Sequence, residues 1–359
     1  MSNNRFNKRI TITSEILNKI SKLDEFKGLW QGSIRMSPQI LGRLKQSVII
    51  TSSGASTRIE GAQMTDIEVA RLLRGLKTTP PIGRDAEEAA GYADLLGRIF
   101  DNWQGFKLSE NYILQFHKIL LNFSKKDQRH QGKYKISDNI VVARNDEGEK
   151  KIIFRPTPPY LVKKEMDDIL YWTNEELKKN ELHPLLIIFN FIFEFLAIHP
   201  FIDGNGRLSR ALTNLLLLQS GYSYIPYVSL EEIIENKKNV YYLSLRSTQK
   251  NHKTKKEDVS PWINFMLDIM VIQMEKAKKL MQSEDPMKLL SEKQLAIYNL
   301  FTAINELSVS EISKLLKNKT PLSSIKQALS RLVKLKLLER IGEGRGARYK
   351  KIVNTAQTT

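Results

Sequence analysis

The chain has 359 residues, 41% of them hydrophobic and 26% charged, which suits two or three globular domains with sizeable cores. It contains no cysteine, so disulfides, thiolate metal sites and cysteine nucleophiles are excluded. Its 56 Lys and Arg against 39 Asp and Glu give a net charge of +17. That balance favours polyanionic partners, nucleic acid or nucleotide phosphates, without choosing between them.

The N-terminus, "MSNNRFNKRITIT", lacks an apolar signal core and reads as cytoplasmic. Apolar spacings of three and four predict an N-terminal helical region over residues 1–110, including "ARLLRGLK" and "AAGYADLLGRIF". The paired prolines of "TTPPIGRD" (Thr78–Asp85) interrupt it with a loop. Within "SSGASTRIEGAQM" a helix is predicted over about residues 50–62, with Ser56 and Glu60 four apart on one face and Gly61 following. Taken alone, this is equally a helix end with an exposed glutamate.

Residues 111–282 form a second block, opening on the helical "YILQFHKILL". The runs Ile140–Ala143 and Ile152–Phe154 flank a polar Asn-Asp-Glu-Gly turn and predict a hairpin over 140–156. Its open edges suit an extended peptide; surface decoration is the alternative. After the helical "LVKKEMDDILYWTNEEL" comes the apolar run Leu185–Ile198, short for a membrane span and interrupted by Asn190 and Glu194. It predicts a buried helix at the centre of a domain and no membrane association.

The stretch "AIHPFIDGNGRLSR" follows at residues 197–210. Pro200 disfavours helix at His199, so the apolar helix ends there. A new helix starts within Gly204-Asn205-Gly206, whose outward N–H groups and small residues make an anion nest. Arg207 and Arg210 share one helix face and suit further phosphate oxygens. The Asp203 carboxylate is placed to hold Mg²⁺ against those phosphates, and His199 to take a proton from a hydroxyl. Together they suit attack on a nucleotide phosphate. The remaining histidines, His117, His130, His183 and His252, are assigned to structure or surface.

A break at "SEDPM" (Ser283–Met287) precedes a basic segment, residues 288–352; between 291 and 351 there are thirteen Lys and Arg against five Asp and Glu. Two helices around a short turn, with Thr320 as N-cap and Pro321 at the first helical position, lead into the glycine-tipped hairpin "IGEGRGARYKKI". This is the winged-helix pattern. Ile325, Leu329 and Leu332 form its buried stripe, and Ser323, Ser324, Lys326, Gln327 and Arg331 face outward, where a recognition helix meets DNA. Dimerisation or protein docking is the alternative use.

"HPFIDGNGRLSR" resembles the signature of the Fic family, His-x-Phe-x-Asp/Glu-Gly-Asn-Gly-Arg-x-x-Arg, at every fixed position, and the resemblance extends over roughly residues 30–275. It implies a mainly α fold: a helical-bundle Fic core with a β-hairpin flap, here joined to a C-terminal winged-helix domain. It also implies transfer of AMP from ATP to Ser, Thr or Tyr hydroxyls of target proteins. In that scheme His199 is the general base and Phe201 packs the loop into the core. Asp203 holds Mg²⁺, Gly204, Asn205 and Gly206 form the anion hole, and Arg207 and Arg210 hold the β- and γ-phosphates.

Relatives line the adenine site with a tyrosine of "YYxxL", here "YYLSL", which implicates Tyr241, with core packing as the alternative. The hairpin matches the flap that holds the target and touches ATP, implicating Ile153, Phe154, Arg155 and Pro156. "STRIEG" resembles the family's inhibitory pattern, Ser/Thr-x-x-x-Glu-Gly/Asn, placed ahead of the core. It implies that Glu60, with Ser56, pairs with Arg210 and displaces the γ-phosphate. In some relatives this glutamate also orients a water that removes AMP. AutoAMPylation and a homodimer are further implications of the family. The competing readings are a DNA-binding transcriptional regulator whose Fic core senses nucleotide, and a transferase of another nucleotide-derived group.

Overall fold

The computed structural model describes residues 3–33, 36, 38–76, 78–139, 141–144, 150–283, 291–301, 306–316, 320–335 and 337–352. Ile140, the Asn145–Gly148 turn, the Ile153 side chain and the Ser283–Met287 break beyond Ser283 lie outside the described residues. The chain is mainly helical and divides into two compact units, one of Met1–Ser33 with Gly42–Ala277, the other of Ile34–Leu41 with Lys278–Thr359.

The N-terminal elements, in the first unit except for the start of α3, are α1 (Asn3–Lys8), α2 (Ser14–Ser33), α3 (Pro38–Ile59), α4 (Asp66–Gly75), α5 (Arg84–Asn102) and α6 (Glu110–Leu120). Strands β1 (Val141–Arg144) and β2 (Lys150–Phe154) pair antiparallel, with Val142 opposite Ile152 and Arg144 opposite Lys150. Helices α7 (Pro159–Lys179), α8 (Pro184–Ile198), α9 (Asn205–Gln219), α10 (Leu230–Asn236), α11 (Lys238–Gln249) and α12 (Ser260–Ser283) follow.

Every residue of α8 after its first proline is buried. A helix apolar on all sides has to be enclosed, and α7 and α9 pack against it. Its two polar residues are paired: Asn190 Oδ1 accepts from Arg9 Nε at 2.7 Å, and Glu194 meets both Arg9 and Arg5. Arg5 and Arg9 also reach Glu257, so the Glu194–His252–Glu257 cluster is filled by guanidinium groups and is an ion-pair network tying α1 to the core. Gly91 brings α5 onto α6; a β-carbon there would collide with the Leu120 carbonyl. That close crossing carries α6, and with it His117, under the loop between α8 and α9. Among the described residues no helix is long and apolar enough to cross a membrane.

The second unit holds α13 (Glu292–Tyr298), β3 (Glu306–Ser308), α14 (Val309–Leu315), α15 (Leu322–Lys334), β4 (Leu338–Ile341) and β5 (Arg348–Lys351), the strands in the antiparallel order β3–β5–β4. Ile325, Ala328, Leu329 and Leu332 of α15 enter a core with Ile297, Phe301, Ile312 and Leu338. The predicted start of α15 shifts by one residue: Pro321 has an extended ψ of 141° and is the cap, so the helix begins at Leu322. Ser323, Lys326 and Gln327 are exposed, and Ser324 and Arg331 are half-buried.

Candidate active site

Residues 199–204 turn the chain from α8 into α9, and the turn is held from several sides. His199 closes α8 in the left-handed region (φ 52°, ψ 61°), and Gly204 opens α9 at φ 83°. The proline after His199 disfavours a right-handed helical conformation there. Asn205 spans the turn: its Oδ1 accepts from Phe201 N at 2.9 Å and its Nδ2 donates to Phe201 O at 2.8 Å. The Asn205 amide is thus engaged in the turn, and its backbone N–H is the group left for an anion.

The Phe201 side chain is fully buried and stacks on the His117 ring, centroids 3.7 Å apart and planes 10° from parallel. His117 Nδ1 accepts from Gly132 N at 3.0 Å, so the proton sits on Nε2, which donates to Asp203 O at 3.0 Å. Burial pushes this imidazole down to about 4, so it stays neutral at physiological pH. Of the two classes assigned to His117 from sequence, structure or surface, it belongs to the first. The structure makes it the floor of the loop, and the available signal was a histidine inside the apolar stripe of Ile113, Phe116 and Leu120. Phe201→Ala is expected to cost about 3–5 kcal/mol of stability, read from denaturant midpoints.

His199 Nδ1 lies 3.3 Å from Leu196 O. A carbonyl only accepts, so Nδ1 carries the proton and Nε2 presents its lone pair. Burial is the largest influence on this imidazole and, with the Lys135 ammonium, holds it at about 4, in the neutral form a base requires. Asp203 Oδ1 accepts from Gly204 N at 2.7 Å and Oδ2 from Arg207 Nη2 at 2.9 Å. Burial works against ionisation of Asp203, but the Arg207 charge and these hydrogen bonds hold its carboxyl below the usual range.

At the start of α9 the first N–H groups have no intrahelical partners. Arg207 and Arg210 rise from the same turns, 1% and 2% exposed. Arg207 Nη1 lies 3.1 Å from Glu88 Oε2 of α5, out of hydrogen-bond alignment. Arg207 Nε and Nη1 and Arg210 Nη1 are buried without hydrogen-bond partners, three of the six such side-chain atoms among the described residues. Unsatisfied buried donors are rare, and three on two adjacent cations are donors that an anion would satisfy. Glu88 carried no signal in the sequence, because glutamates are ordinary in a first helical turn.

The other groups on Arg210 come from α3. Arg210 Nε donates to Ser56 Oγ at 2.9 Å, and Nη2 donates to Ser56 O and to Glu60 Oε1, both at 2.8 Å. Burial opposes this charge most, but Glu60 together with Tyr241 and Tyr92 outweighs it, so Arg210 binds its proton more tightly than usual. A β-carbon on Gly206 would collide with Glu60 Oε1, so the carboxylate rests against the first turn of α9. The end of α3 is pinned: Lys238 Nζ donates to Arg58 O at 3.1 Å, Tyr242 Oη donates to Ile59 O at 3.2 Å, and Arg58 pairs with Glu235 and Asp66.

Tyr241 is 4% exposed, packed edge-on against Trp262 and Phe265, with ring centroids 5.5 and 5.9 Å away. Burial pushes its phenol up to about 12. Beside α11, β2 ends in a half-buried Phe154, an exposed Arg155 and a half-buried Pro156. The Phe154 ring lies 6.0 Å from that of His252, and the Tyr241 phenol lies within electrostatic reach of Arg210 and Glu60.

Residues 107–217 match the sequence model of the Fic/DOC family. The matched stretch is similar to a Fic domain. It spans α6 to α9 and includes both His117 and the 199–210 turn. Protein adenylyltransferase Fic of Drosophila grimshawi is 35% identical over 98 residues, 27% of this chain and 18% of that relative, so the chain matches under a fifth of the relative's length. A Fic family protein from Desulfovibrio desulfuricans G20 superposes with a TM-score of 0.62 at 21% identity, over 97% of this chain and 98% of that one. A Fic-domain signaling protein from Bacteroides thetaiotaomicron gives 0.59 at 22% identity, over 76% of this chain and 99% of its own. At such identities these two likenesses concern the fold alone.

Proposed function

We propose that the chain transfers AMP from ATP to hydroxyl side chains of target proteins and that Glu60 holds this activity back. The observation that carries the reading is the set of unpartnered buried donors on Arg207 and Arg210, beside the open start of α9 and a neutral histidine with an available Nε2. The triphosphate lies along the α9 start, with Arg207 and Arg210 on its outer phosphates. The target hydroxyl attacks the α-phosphorus, His199 Nε2 takes its proton, the bond to the β-phosphate oxygen breaks, and pyrophosphate leaves.

Asp203 brings a carboxylate, one-third exposed, to this position. One carboxylate together with substrate phosphates is a common way to hold Mg²⁺, so the donor set fits that ion. When bound, Mg²⁺ would neutralise charge on the phosphates. The strands β1 and β2 serve as the flap for the target segment, and Tyr241 borders the adenine through its packed edge. Treating the Glu60→Gly protein with labelled ATP, Mg²⁺ and cell lysate, followed by mass spectrometry, tests the reading. An AMP adduct on a hydroxyl residue supports it; absence of adducts on every protein, this chain included, overturns it.

A second role rests on the C-terminal unit. Its excess of Lys and Arg and the exposed Ser323, Lys326 and Gln327 of α15 support a winged-helix domain that binds DNA. Substituting Lys326, Gln327 and Arg331 together with alanine is expected to weaken duplex binding at least ten-fold in a mobility-shift titration; unchanged affinity removes sequence reading by α15.

A further inference from the structure

Segment 132–139 runs beside the His199 loop, and two of its side chains grip the loop backbone. Lys135 N donates to Pro200 O at 2.9 Å, and Lys135 Nζ donates to Ile198 O at 3.3 Å and to Asn139 Oδ1 at 2.6 Å. Asn139 Nδ2 donates to Phe201 O at 3.0 Å. The carbonyls of residues 198, 200 and 201 are therefore all held from this one segment, on either side of His199. Lys135 is 3% exposed and makes no ion pair among the described residues. Lysine is seldom buried without a carboxylate partner, because desolvating an ammonium is costly. His199 meanwhile sits at φ 52°, a conformation that non-glycine residues adopt at a cost and keep only where their surroundings impose it.

We propose that Lys135 and Asn139 are positioning residues that fix His199 in its left-handed conformation and keep its imidazole neutral for proton abstraction. The proposal rests on the AMP-transfer reading above for its catalytic meaning. The charged groups that face His199 are Lys135, which opposes protonation, and Glu60 and Asp203, which favour it. Those acting on Lys135 are Asp138 and Glu165, and burial lowers Lys135 to about 8, so it is largely charged at neutral pH. Sign follows directly. Removing the Lys135 charge makes His199 easier to protonate, so the loss of activity on acidification begins at higher pH.

The test uses the full chain. The imidazole titration of His199 is followed by NMR in histidine-labelled protein, its signal identified by loss in His199→Ala. In parallel, kcat and KM for ATP are measured against pH in the Glu60→Gly background. Lys135→Gln is expected to move the His199 titration up by about half a pH unit or more and to lower kcat about ten-fold, with KM within about two-fold. Lys135→Arg, which keeps the charge, should leave the titration near the parent's value of about 4. Asn139→Ala should lower kcat while leaving the titration in place, and it decides the positioning role if Lys135→Gln fails to fold. An unmoved His199 titration in Lys135→Gln, or parental kcat in Asn139→Ala, overturns the proposal. Absence of AMP transfer by Glu60→Gly itself, with the titration shifted as expected, refutes the AMP-transfer reading and leaves the electrostatic link standing.

Discussion

In protein freed of Glu60, replacing His199 with alanine is expected to lower AMP transfer by about 10²–10⁴-fold, down to the background of the assay. The size of the effect follows from the surroundings of the ring. Nδ1 is committed to Leu196 O, so Nε2 is the available acceptor. Burial keeps the ring neutral down to about pH 4, so nearly every molecule holds a free imidazole lone pair at pH 7. Asp203 is poorly suited as a substitute, because its oxygens already accept from Gly204 N and Arg207 and its pKa is depressed. Nucleotide affinity should change little, since the unpartnered buried donors of the site belong to Arg207 and Arg210. Labelled-ATP assays of Glu60→Gly and of the double variant, with nucleotide binding measured separately, give the comparison. A double variant within ten-fold of Glu60→Gly would remove His199 from the chemistry.

Glu60→Gly alone is expected to raise AMP transfer by about 10²-fold or more over the parent chain. The Glu60 carboxylate occupies an Arg210 donor at 2.8 Å and rests against Gly206, which in the proposed reading puts negative charge where a γ-phosphate would bind. Like charges so close displace the triphosphate from in-line geometry, and a small displacement of a reacting group costs orders of magnitude in rate. Removal leaves Arg210 with Ser56 and with unmatched N–H groups on Nη1 and Nη2, which a phosphate satisfies in the proposed reading. ATP should therefore raise the melting temperature of Glu60→Gly more than that of the parent. Equal labelling by the two proteins would end the account of Glu60 as a brake.

The pinned end of α3 bears on how such a brake is released. Lys238 and Tyr242 hold its last carbonyls, and Arg58 is paired on two sides. Glu60 follows this anchored end with its own carboxylate partly exposed. Rotating that side chain is easier than moving the helix, because it breaks one ion pair and leaves the pinning contacts intact.

Local patterns carried much of this protein into view. His199-Pro200 stops α8, the glycines around Asn205 start α9, and an all-apolar run demands enclosure; each depends on backbone sterics or side-chain solvation within one short segment. The stretch that resembles the Fic signature lies in such a segment, which is why it is readable without coordinates. The four-residue spacing of Ser56 and Glu60 likewise put both on one face of α3. What occupied that face was decided by tertiary packing. So were the stacking of Phe201 on His117, the approach of Glu88 to Arg207, and the grip of Lys135 and Asn139 on three carbonyls. Those partners are separated from the motif by tens to more than a hundred residues, and each is of a type common on any helix or loop. Tyr241 shows the same limit, since "YYLSL" names a helix face but not whether that face meets a ligand or Trp262 and Phe265. By itself, then, the sequence determined the helices, their ends and the reactive turn, through forces acting over a few residues. Only the tertiary structure decided which distant charges and rings surround that turn, because burial and contact across the fold set its tautomer, its neutral base and its occupied arginine.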